Sequence, residues 1–109
     1  MTLQWMITAG AAMLAMAGAQ AQGVDANAAM ALAQKNGCLA CHGLDSKMVG
    51  PSWRDVGKKY AGVADAEEKL VAKVRKGGKG VWGEVPMPPN VTVKEADVRT
   101  LVQYVLTLK

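Results

Sequence analysis

The chain's two cysteines, Cys38 and Cys41, are separated by two residues, and its single histidine, His42, follows at once. Cys38-Leu39-Ala40-Cys41-His42 is thus a C-x-x-C-H pattern. In it each thiol can add to one vinyl group of a porphyrin, and the histidine is held beneath the metal, where an imidazole nitrogen ligates iron. Other chemistries fit these residues less well. A structural zinc site takes four Cys or His ligands, and this chain offers three. A thioredoxin-like pair belongs beside a βαβ pattern, and no strand pattern flanks this one. An iron–sulfur cluster needs more cysteines. A lone disulfide would close only a tiny loop and leave His42 as coincidence. The pattern points to one covalently attached haem.

Iron bound by one histidine has a second axial site, and no other histidine is present to fill it. Downstream of residue 21 the methionines are Met30, Met48 and Met87. Met48 is close to His42 in sequence for a side chain that must reach the opposite haem face. Met30 sits at helical spacing from Ala33 and reads as an adaptable packing residue. Met87 is bracketed by Pro86, Pro88 and Pro89, which fix φ and push their predecessors out of the α region. That stiff loop presents a thioether at a defined place, so Met87 is the expected sixth ligand. His/Met ligation raises the reduction potential and leaves no vacancy for oxygen or peroxide. Both properties suit outer-sphere electron transfer and not bond-making catalysis.

Four helical stretches are expected to position these groups, and the chain reads as all-α. Asp25 can cap a helix through about Asn36 that stops at Gly37. A short helix from Ser52 to Tyr60 would turn Trp53 and Val56 inward. A third carries the capping-box pair Asp65 and Glu68 and then Leu70, Val71 and Val74, before Gly77-Gly78 ends it. The last opens with a second box, Thr92 and Glu95. It carries one apolar stripe of Val98, Leu101, Val102, Val105 and Leu108.

Residues 1–21 read as a secretory signal peptide. Trp5 to Ala19 is apolar, and Ala19-Gln20-Ala21 is a small-x-small cleavage site. The run is too short to span a bilayer comfortably, and no stable membrane insertion is expected. The leader carries no Lys or Arg, so an uncleaved anchor is the alternative reading. What remains, residues 22–109, forms one domain with little core of its own, and a buried porphyrin would supply apolar surface for it to fold around. The 13 Lys and Arg and the 9 Asp and Glu give a net charge of +4. Without an Arg-rich run or many aromatics this does not indicate nucleic acid. Lys35, Lys47 and Lys58 are candidates for a basic rim around an apolar docking patch of Val49, Pro51 and Pro88.

The chain resembles the small bacterial class I cytochromes c of the c-551 (cytochrome c8) group. The resemblance spans Asp25–Lys109 and rests on Gly37-Cys38-Leu39-Ala40-Cys41-His42, Lys47-Met48-Val49-Gly50-Pro51, Gly80-Val81-Trp82-Gly83 and Pro86-Met87-Pro88-Pro89-Asn90. It implies a class I cytochrome c fold, with haem c carried by Cys38 and Cys41 and ligated by His42 and Met87. By the same resemblance a backbone carbonyl near Pro51 accepts the other imidazole N–H, Trp82 bonds a haem propionate, and Asn90 lies near the Met87 sulfur. Lys73 stands where the group often has a propionate-side arginine, Ala33 replaces a bulky aromatic opposite Tyr104, and Glu84 replaces a frequent proline.

The function so implied is a monomeric periplasmic carrier of single electrons, not an enzyme. Its donor would be a quinol-oxidising complex, and its acceptor a nitrite reductase, cytochrome oxidase or cytochrome c peroxidase. A gas-binding sensor or enzyme in which Met87 leaves the iron, and a membrane-tethered module, are the competing readings. The expected product of export begins within a few residues of Gln22 and keeps its haem through acid–acetone extraction. Intact mass before and after extraction checks both. Freely extracted haem, or Trp5 retained in the mature mass, contradicts the corresponding half.

Overall fold

The computed structural model describes Gly10 and residues 24–109; the expected leader otherwise lies outside the described residues. Four α-helices follow in order: α1 Ala26–Lys35, α2 Trp53–Tyr60, α3 Ala66–Lys76 and α4 Glu95–Thr107, with a 3-10 turn at Cys38–Ala40 after α1. Among the described residues extended pairing is limited to two isolated antiparallel bridges, His42 with Lys47 and Gly78 with Met87. The all-α expectation therefore holds.

Local chemistry accounts for the first two helices. The Asp25 carboxylate accepts from the Asn27 N–H at 2.9 Å and caps α1. Gly37 then takes a left-handed φ of 74°, which turns the chain into the Cys38 segment. Ser52, itself buried, accepts from the Asp55 N–H at 3.1 Å and caps α2.

The other two helices begin differently from the expected capping boxes. Asp65 is left-handed (φ 59°) and makes no side-chain cap. Glu68 faces α4 instead, 2.5 Å from Arg99 Nη1. Helix α4 starts at Glu95 rather than near Thr92, with Lys94 as an uncapped N-cap, and Glu95 lies 3.6 Å from Arg99. Both box acids thus meet one guanidinium, Glu68 across the α3–α4 contact and Glu95 one turn away on α4 itself, and a full charge is a stronger partner than the backbone N–H a box offers. Arg99 also lies 3.8 Å from Glu67, which accepts from Gln103 Nε2 at 2.6 Å. The Arg99 hydrogen bond holds the Glu68 carboxyl below its ordinary range. Its small, solvent-screened contribution is present above the ordinary carboxylate pKa and is lost as pH falls through the lowered one.

Helix α4 is the element against which α1, α2 and α3 all pack. Val98, Leu101, Val102, Tyr104 and Val105 of α4 are buried, and they join Ala29 and Ala33 of α1, Trp53 and Val56 of α2, and Leu70 and Val71 of α3. The two α1 alanines are fully buried, so small side chains, not an aromatic, let α1 approach α4. Leu108 falls just past the helix end and packs half-buried against the same core.

Helix α2 approaches the end of α4 at Gly57. A Cβ there would sit 2.6 Å from the carbonyl oxygens of both Val105 and Leu108. Gly→Ala in a helix ordinarily gains about 1 kcal/mol from propensity. At Gly57 the steric term dominates, and Gly57→Ala is expected to lose about 1–3 kcal/mol, the usual cost of overpacking. A guanidinium melt of the ferric holoprotein checks the sign; a stabilised variant would show that this crossing can relax.

Candidate functional site

The segment from Gly37 to Arg54 is folded on itself by backbone hydrogen bonds. His42 N–H donates to Cys38 O (3.1 Å), Gly50 N–H to Cys41 O (2.7 Å), Trp53 N–H to Gly43 O (2.9 Å) and Arg54 N–H to Leu44 O (3.0 Å). The Arg54 guanidinium also pairs with Asp45 and donates from Nη1 to the Lys109 backbone oxygen at 2.8 Å, tying this segment to the C-terminal end. The result is a rigid seat for one imidazole.

His42 Nδ1 lies 2.8 Å from the Pro51 carbonyl oxygen. A carbonyl can only accept, so Nδ1 carries the proton and the neutral ring keeps its Nε2 lone pair free. A hydrogen bond at the other ring nitrogen fixes the orientation of a ligating histidine and raises its basicity. Gly50 closes the second side of the ring: a Cβ there would fall 2.7 Å from His42 Cε1 and 3.0 Å from Nδ1. Trp53 supplies the third, with its ring centroid 6.1 Å from that of His42, and it meets Tyr104 of α4 edge-on at 6.3 Å.

Beyond α3 the chain doubles back as a narrow loop. Gly78 and Met87 exchange both backbone hydrogen bonds, Gly78 N–H to Met87 O at 3.0 Å and Met87 N–H to Gly78 O at 2.8 Å. Asn90 N–H donates to Val74 O at 2.9 Å and fastens the far end to α3. Gly77 allows this return, being left-handed (φ 72°), and a Cβ there would stand 2.5 Å from Met87 O.

The helices and the two loops enclose a cavity of about 540 Å³, within the size range of cofactor sites. Cys38, Cys41, His42, Pro51, Lys73, Trp82, Met87 and Asn90 all line it, so the eight residues singled out from the sequence share one space. Met30 packs against the core and Met48 is 48% exposed; neither lines the cavity. Lys73 turns back against Gly78, where a Cβ would meet its Nζ at 2.5 Å. Trp82 is 42% exposed, with the Lys59 ammonium 5.5 Å from its ring centroid. Glu84 lines the cavity as well and is exposed.

The donor set fits an iron porphyrin. Both thiols are free of disulfide, they sit on the cavity wall beside an imidazole with an available nitrogen, and the remaining wall is largely apolar, with Val98, Leu101, Val102 and Val105 along α4. Burial pushes the Cys38 thiol above its ordinary range.

The cytochrome c family model matches residues 26–109. The chain belongs to the cytochrome c family. It is 46% identical to cytochrome c-552 of Nitrosomonas europaea over an alignment of 110 positions that covers 100% of both chains. It is also 46% identical to cytochrome c-551 of Pseudomonas aeruginosa over 89 residues, covering 82% of this chain and 85% of that protein. The crystal structure of the Nitrosomonas europaea cytochrome c552 superposes with a TM-score of 0.72 at 49% identity, covering 73% of this chain and 99% of the other. This cytochrome has the class I fold, carries one covalent haem c on Cys38 and Cys41, and is a one-electron carrier and not an enzyme.

Sequence reasoning did not single out Gly50, Trp53, Gly77 or Lys59 as parts of the site. The Gly50-Pro51 dipeptide marks a turn but does not announce that an imidazole will lie against its α-carbon. Gly50→Ala is expected to displace the His42 ring, lose about 1–3 kcal/mol and accelerate solvent exchange of the Nδ1 proton. Proton NMR of the holoprotein checks this; an Nδ1 proton as protected as in wild type would show that Gly50 does not seat the ring.

Proposed function

We propose that this cytochrome shuttles single electrons in the periplasm with its iron held between His42 and Met87. The carrying observation is that His42 keeps Nε2 free toward a cavity whose one methionine is Met87, on a loop locked at its neck to Gly78. The haem supplies the ferric/ferrous couple. The protein supplies a fixed imidazole, a thioether that stabilises the ferrous state, and walls that change little between oxidation states.

Trp82, Lys73 and Asn90 line the same cavity, which supports reading Trp82 as a donor and Lys73 as a charge toward the haem propionates, and Asn90 as a neighbour of the Met87 thioether. Electrons come from a quinol-oxidising complex and pass to a terminal reductase or oxidase, a nitrite reductase among the candidates. Lys47 and the 58%-exposed Val49 border the cavity, which supports docking through an apolar contact with a basic margin that steers an acidic partner. The leader read in residues 1–21 and the extracytoplasmic site of haem c attachment support the periplasmic location. No helix among the described residues is long and apolar enough to cross a membrane.

Met87→Ala is expected to abolish the weak far-red sulfur-to-iron absorption of the ferric protein, lower the reduction potential and open the ferrous iron to carbon monoxide. Met30→Leu and Met48→Leu keep the band. The ligand assignment fails if either leucine variant loses the band while Met87→Ala retains it. Rapid carbon monoxide binding by the unmodified protein at neutral pH would favour a gas-binding role over a shuttle.

A further inference from the structure

The tip of the loop between Gly78 and Met87 is nearly detached from the protein body. Its neck is closed by the paired Gly78–Met87 hydrogen bonds, and its tip is folded by Gly80 N–H donating to Gly83 O at 2.8 Å. Among the described residues no hydrogen bond or ion pair joins residues 79–86 to any other element. Val81, Trp82 and Val85 are all exposed. Gly80 and Gly83 carry φ of 100° and 115°, a backbone that resists few rotations.

One side chain crosses the gap. Lys59, in the last turn of α2, places its ammonium 5.5 Å from the Trp82 ring centroid, inside the roughly 6 Å at which a cation is attracted to an indole face. No carboxylate pairs with Lys59 among the described residues, so its charge is free to face the ring. Helix α2 is a firm post for it, capped by Ser52 and packed on α4 through Gly57.

We propose that Lys59 is a positioning residue for the haem site, clasping Trp82 so that the loop tip stays over the cavity mouth and Met87 stays seated. The clasp itself follows from the geometry; its consequence for Met87 rests on the reading of Met87 as the sixth ligand. With Met87 read as bound to iron and Trp82 as bonding a propionate, the clasp is an additional tie, and a loop that loses one of its ties opens more often. For a cation–π contact at an exposed site the open-to-closed ratio rises about two- to fivefold.

The test compares Lys59→Gln and Lys59→Arg in the haem-loaded full chain. Solvent exchange of the Gly80 amide and of the Trp82 indole N–H is read by NMR, and the rate of imidazole binding to the ferric iron by absorbance. Lys59→Gln is expected to raise all three about two- to fivefold, while Lys59→Arg, which also stacks on an aromatic face, stays near wild type. The proposal is overturned if Lys59→Gln leaves exchange unchanged, or if Lys59→Arg raises it equally. It is also overturned if the imidazole rate is unmoved in a protein whose far-red sulfur band is present. Absence of that band in wild type would instead refute the ligand reading, and exchange alone would then decide the clasp.

Discussion

The hydrogen bond from His42 Nδ1 to the Pro51 carbonyl determines which imidazole nitrogen faces the cavity, and the segment from Gly37 to Arg54 is shaped to make it. Pro51 has no N–H and a restricted φ, so its carbonyl direction is set by the turn around it. Gly50 removes the atom that would collide with the ring, and Trp53 blocks it from the far side. Three consecutive features of the chain, a small residue, a stiff residue and a capped helix start, therefore act on one side chain. The covalent attachment at Cys38 and Cys41 then brings the haem to an imidazole already oriented.

The core and the cavity wall are largely one surface. Val98, Leu101, Val102 and Val105 of α4 are buried, and they also line the cavity with Trp53, Val56 and Leu70. Helix α4 thus has two duties on one stripe: it gathers the other helices, and it presents an aliphatic wall to the cofactor. A domain this short buries a modest fraction of its own surface, and an apolar group bound between the helices adds burial that the side chains alone do not provide. Because the haem stays attached when the chain unfolds, its burial between the helices adds to the stability of the folded state as any covalently held apolar side chain would.

Opposite this helical half, the 77–90 segment has almost no packed side chains and is organised by its backbone. Paired bonds between Gly78 and Met87, the bond from Asn90 to Val74 and the proline run give it a defined path without a core. Such a loop reaches over a cavity without filling it. The proline run on either side of Met87, stiffer than the glycine-rich tip, keeps the geometry around the proposed ligand similar in both oxidation states, which favours electron exchange over chemistry at the metal.

The C-x-x-C-H pattern determined the cofactor by itself, because covalent haem attachment needs only local chemistry. The helical stripes likewise determined four helices, since Val98, Leu101, Val102 and Val105 recur at the period of an α-helix whatever they pack against. That Met87 sits on a constrained loop was legible for a similar reason, since prolines restrict their neighbours locally; its place at the cavity is what the fold adds. The capping boxes at Asp65 and Thr92 were not borne out: Glu68 found Arg99 on a helix distant in sequence, while α4 begins only at Glu95, which pairs with the same Arg99 one turn along its own helix. Gly50 against His42, Gly57 against the end of α4 and Lys59 over Trp82 are contacts between segments whose separation in the chain carries no signal of their meeting. Local preferences are written in single residues and short periods; which side chain lies beside which, across a cavity or a helix crossing, is decided only when the whole chain closes around a common core.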